Sequence, residues 1–121
     1  MIYESTFTVS SQTDPSVRFT VRRVSVARRV ELLRSVRELT ARLEFYRAGA
    51  DVTDKLSASI ASAEVESLYV TWGIAGIDGL VVDGLEATPE LLVANGPEDL
   101  VREAATLVRA QIGLSEDERK N

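Results

Sequence analysis

Apolar residues recur along this chain at two spacings, and the change from one to the other divides it into elements. Ile2–Val9 and Val17–Arg23 carry the alternation of strands: Val17, Phe19 and Val21 face one way while Arg18, Thr20 and Arg22 face the other. Ser10 to Ser16 supplies turn residues between them, so the two segments are expected to pair as a β-hairpin. From Val26 to Ala48 the spacing becomes helical. Leu32, Val36, Leu39, Leu43 and Tyr46 recur at intervals of four, three, four and three, a narrow seam of the kind that joins paired helices. Ser25 suits the N-cap and Gly49 the position past the last turn. Val26, Val30 and Leu33 are expected to widen the apolar face toward the hairpin. Arg34/Glu38 and Glu38/Arg42 are expected to pair across the wet face, each pair contributing about 0.2 to 0.5 kcal/mol.

A second helix is expected from Asp51 or Thr53 to Trp72. Leu56, Ile60 and Ala63 form one stripe on it, and Ala61, Val65, Leu68 and Trp72 another, which predicts burial on two sides. The short Gly49-Ala50-Asp51-Val52 connection makes the two helices antiparallel neighbours. Gly73 to Gly79 is read as a break after this helix. Leu80 to Ala87, with Asp83-Gly84 after a β-branched pair, reads as a short hairpin. Thr88-Pro89-Glu90 then opens a short helix ending at Asn95-Gly96, and Pro97 opens a longer one to Ile112, closed by Gly113. The expected fold class is therefore α+β, mostly α: N-terminal β-hairpin, antiparallel helix pair, short β-hairpin, short helix and C-terminal helix. Residues 1–114 are expected to form one domain. Ser115-Glu116-Asp117-Glu118 has a capping-box pattern just before the last residues, and 115–121 is expected to be a mobile tail.

Composition narrows the chemistry. With 45 % hydrophobic and 27 % charged residues, the chain has the balance of folded proteins. It has no Cys and no His, which removes thiolate chemistry, the commonest general base and the commonest transition-metal ligand. The acids around Asp78, Asp83 and Glu86 lack EF-hand spacing and read as turn formers. Gly73, Gly76 and Gly79 follow a helix rather than a strand, so they lack the context of a phosphate-binding loop. No catalytic residue, metal site or cofactor is expected, and the chain reads as a non-enzyme. No apolar run has membrane-spanning length, and cytoplasmic residence is the expectation.

Charge is unevenly placed within a net −5. Arg18 to Arg47 holds nine arginines and three glutamates, whereas Ala48 to Asn121 holds five basic and fourteen acidic residues. Arg22, Arg28, Arg29 and Arg37 are thus candidates for contacting an anion or nucleic acid, as an alternative to a solvated face balanced by the acidic half. Candidate partner-binding residues are the seam Leu32, Val36, Leu39, Leu43 and Tyr46, which serves either as core or as client groove, with Trp72, Leu80 and Val82.

Several segments resemble the tail assembly chaperones of long-tailed bacteriophages and prophages. They are the hairpin leading into Val24-Ser25-Val26-Ala27-Arg28-Arg29-Val30-Glu31-Leu32, then Tyr69-Val70-Thr71-Trp72-Gly73-Ile74, Gly79-Leu80-Val81-Val82-Asp83-Gly84 with Ala87-Thr88-Pro89, and Gly96-Pro97-Glu98-Asp99-Leu100. The closing residues Gly113 to Asn121 fit the same layout. The resemblance implies a non-enzymatic protein that holds the tape-measure protein soluble until tail-tube subunits polymerise around it. It also implies a longer product made by a frameshift near the end of the shorter one. Homo-oligomerisation is left undecided by these features.

Overall fold

The computed structural model describes residues 1–113. Leu114 and the expected tail over 115–121, with its capping pattern at Ser115, lie outside the described residues. The architecture is α+β and mostly helical. In chain order it runs β1 Thr6–Ser10, β2 Arg18–Arg22, α1 Val26–Ala48, α2 Val52–Gly73, β3 Ile74–Asp78, β4 Val81–Val82, β5 Leu85–Glu86, α3 Pro89–Asn95 and α4 Glu98–Ile112.

The hairpin forms with Thr6 opposite Arg22 and Ser10 opposite Arg18. Its turn is organised by Ser11, whose hydroxyl oxygen accepts the N–H groups of Thr13 and Asp14 at 3.0 and 3.1 Å. β2 is the central strand, because β3 pairs antiparallel with its other edge. The segment read as a break after the second helix is thus a strand. Thr20 lies opposite Gly76 and Val21 opposite Ile74, so Ala75 is an extra residue in β3. That bulge places buried Ile74 and Ile77 on one face at a spacing of three, which hides the strand alternation.

Between β2 and β3 the chain makes a long excursion through α1 and α2, which fold back on one another across Gly49-Ala50-Asp51. Local chemistry sets the ends. Ser25 Oγ accepts the Arg28 N–H at 3.2 Å, and Asp51 Oδ1 accepts that of Asp54 at 2.8 Å. Thr88 Oγ1 caps α3 by accepting the Leu91 N–H at 3.1 Å. The β4–β5 turn has Asp83 and Gly84 both at positive φ, 51° and 81°, the conformation that a two-residue hairpin needs.

The core lies between the sheet and the helices. Val17, Phe19, Val21, Ile74 and Ile77 meet Val70 of α2, Leu92 of α3 and Leu100, Ala104, Val108 and Ile112 of α4. Burying a large apolar side chain of this kind contributes about 1.5 to 3 kcal/mol. Gly73 lets α2 approach α4 closely, since a Cβ there would run into the Val108 side chain. Leu32 and Val36 of α1 belong to this core, whereas Leu43 and Ala61, although buried, stand outside it. The far half of the α1–α2 pair is therefore a two-helix extension of the body. No helix among the described residues is long and apolar enough to cross a membrane.

Two expectations about α1 are corrected. Val26, Val30 and Leu33 are exposed and do not reach the hairpin, because α1 leans on α2 and these residues lie roughly 100 to 160° round the helix from the seam. The pairs Arg34/Glu38 and Glu38/Arg42 do not close to 4.0 Å. Among the described residues the ion pairs are those of Arg102 with Glu98 at 3.1 Å and Asp99 at 3.7 Å.

Candidate partner-binding surface

α2 is the axis on which this surface is built. One side, through Ala61, Val65 and Leu68, packs on α1, and its C-terminal half packs through Tyr69, Val70 and Gly73 on the body. The remaining stripe, expected to be buried, is not. Leu56 and Ile60 are each 61 % exposed, and Val52 and Ala63 on the same side are also open. Where this stripe runs between α1 and α3 it lines a groove of about 590 Å³, formed by Leu39, Ile60, Ala63, Glu64, Ser67, Leu68, Thr71 and Val93. Aliphatic carbons dominate its surface, with Ser67, Thr71 and Glu64 as the polar positions. The shape and lining are those of a surface open to an apolar side chain or helix face.

The residues singled out in the sequence divide into three groups. Leu32, Val36, Leu43 and Val82 are buried and present no contact surface in this conformation. These three seam residues of α1, Leu32, Val36 and Leu43, are covered by α2, as their spacing at one helix face allows. Leu39, Tyr46 and Leu80 are half-buried, and of these Leu39 opens into the groove. Trp72 is also half-buried and is engaged at its edge and on one face: its indole N–H donates to Glu31 Oε1 at 3.0 Å and the Arg28 guanidinium lies 4.7 Å from its ring centre. This pairing holds the start of α1 to the end of α2.

The arginine candidates do not converge. Arg28 covers Trp72, with its enclosed Nε unpartnered among the described residues. Arg37, nine residues on, lies about 180° round the helix from it. Arg22 sits on the strand and is half-buried, while Arg29 is exposed. No single face collects all four, as a phosphate track requires.

Ile60, Ala63, Ser67 and Val93 were not singled out as binding residues. The signal for the first two was present in the Leu56-Ile60-Ala63 stripe, since α2 carries more apolar stripes than its neighbours cover. Nothing in the sequence signalled Val93, whose place depends on how α3 docks.

Among titratable groups, Glu103 stands apart. It accepts the Ser11 hydroxyl at 2.5 Å on Oε1 and the Gln12 N–H at 2.7 Å on Oε2. Burial works to raise its pKa, but the donors of Ser11, Gln12 and Thr13 together outweigh it and hold the carboxyl below its ordinary value. This site ties the β1–β2 turn to α4 and lies apart from the groove. Among the described residues no group of three or more Asp or Glu is gathered to hold a metal ion.

No protein-family model, curated protein or solved structure matches this chain.

Proposed function

We propose that the protein is a binding factor rather than an enzyme, and that it acts as a tail assembly chaperone in the host bacterial cytoplasm, keeping a tape-measure protein soluble until tail-tube subunits assemble around it. The observation that carries this reading is the open apolar groove along α2, bounded by Leu39 on one side and Val93 on the other. A long helical client exposes apolar stripes before it is enclosed, and a trough with small residues such as Ala63 and Ser67 on its floor admits a helix closely. The sequence resemblance supplies the identity of the client.

Co-expression with a tape-measure fragment tests the reading. The wild-type chain is expected to raise the soluble fraction of the fragment several-fold. Ile60→Asp, at an exposed position, is expected to fold normally and lose that effect. If the wild-type chain leaves the fragment insoluble, the client assignment fails; if Ile60→Asp rescues equally well, the groove is not the site.

A further inference from the structure

A second surface lies on α1, on a side of the helix pair that the groove does not use. Val26, Val30 and Leu33 follow one another at helical spacing and are 84 %, 43 % and 36 % exposed. Arg29 and Arg37 lie along the same side and Arg34 borders it, all three exposed. Among the described residues none of them forms an ion pair. Of the carboxylates of the helix, Glu31 accepts the Trp72 indole N–H, Glu38 lies one turn from Arg34 without pairing with it, and Glu44 is two turns beyond Arg37.

We infer that this face docks an acidic amphipathic helix of another protein, its aliphatic strip lying on Val26, Val30 and Leu33 and its flanking carboxylates meeting Arg29, Arg34 and Arg37. Three guanidiniums within three helical turns, none of them ion-paired, repel one another, and their planar forks suit two-point contact with a carboxylate. An aliphatic centre gives a phosphodiester chain nothing to contact, whereas it matches the apolar stripe of an amphipathic helix. A second copy of this chain fits poorly. Its acidic helix α4 turns Leu100, Ala104 and Val108 into the core, and the open stripe of α2 has only Glu64 and the half-buried Glu66 as adjoining carboxylates. The surface is independent of the groove and of the tape-measure reading.

Two labelled helical peptides of roughly 20 residues, long enough to hold a helix, make the test: both carry the same leucine stripe, one flanked by glutamates and the other by lysines. The full chain is expected to bind the glutamate peptide about tenfold more tightly, the sum of three modest rim pairs, with the preference shrinking at high salt. The triple variant R29E/R34E/R37E is expected to reverse it. Val30→Asp is expected to weaken the glutamate peptide about tenfold, as loss of a central apolar contact does, and Ile60→Asp to leave it unchanged. Should the triple variant not fold, Arg37→Glu and Val30→Asp carry the same comparison singly. Equal affinity for both peptides overturns the inference. So does displacement of the glutamate peptide by duplex DNA with no effect of Val30→Asp, which would mark a general anion site. Concentration-dependent self-association that Val30→Asp abolishes would assign the face to a second copy and equally overturn it.

Discussion

Glu103 projects from α4 toward the β1–β2 turn, where Ser11 is buried against the core and Gln12 is exposed. Its carboxylate accepts from both, so one ionised side chain links elements that are about ninety residues apart in sequence. The direction of its pKa shift fixes how this link responds to acid. A carboxyl held below its ordinary value of 4.5 in the folded state adds stability at pH values above that figure and loses it as pH falls through the lower folded value. Glu103→Gln keeps the shape but removes the charge, and is expected to cost about 1 kcal/mol at neutral pH, a charged hydrogen bond discounted for its exposure to solvent. The gap between wild type and variant should narrow between neutral pH and an acid pH below 4.5. Denaturant curves at the two pH values measure it, and a gap that stays constant with pH would mean that the charge of Glu103 contributes nothing.

At the scale of elements, α2 decides which apolar residues are interior and which are surface. Leu32 faces it and is fully buried, whereas Leu56, on α2 itself, turns away from both α1 and the body. Leu32→Ala is expected to lower stability by about 2 to 5 kcal/mol through lost transfer energy and the cavity left behind. Leu56→Ala should stay within about 0.5 kcal/mol of wild type, as exposed substitutions do. Urea midpoints distinguish the two, and comparable losses would place Leu56 in a packed interface that the fold does not contain. The same contrast explains what could be read in advance. Helix ends were legible because Ser25, Asp51 and Thr88 act within a few residues of themselves, and the Asp83-Gly84 turn for the same reason. β3 was not, because its bulge at Ala75 breaks the alternation and its pairing with β2 closes only after more than fifty intervening residues. The seam on α1 was legible as a stripe but not as core, since spacing reports a face and not what covers it. The groove escaped for the complementary reason: apolar stripes on α2 were counted correctly, but the number of neighbours available to cover them depends on where α3 and α4 dock.

For the molecule as a whole, the consequence is a body with a less firmly held arm. The core joining sheet, α3, α4 and the C-terminal half of α2 ends on α1 near Val36 and on α2 near Val65. Beyond those points α1 and α2 have chiefly each other, with Leu43 and Ala61 buried between them, while Phe45 and Val52 near the bend are each 72 % exposed. Two helices sharing one narrow interface lose little on parting, so this arm should open without the body unfolding. Native-state hydrogen exchange reads this directly. Backbone amides of Arg42–Ala48 and Lys55–Ser59 are expected to exchange through an opening several kcal/mol below the global unfolding energy, and those of Val65–Trp72 through global unfolding. Equal protection along α2 would show that the pair opens only with the core. If the arm does open alone, a client seated in the groove rests on Ile60 and Ala63, where arm meets body, and binding should slow exchange at the arm as well as at Val65–Trp72, since neither the open arm nor the unfolded chain holds the groove. Protection confined to Val65–Trp72 would mean that the client does not rest on Ile60 and Ala63.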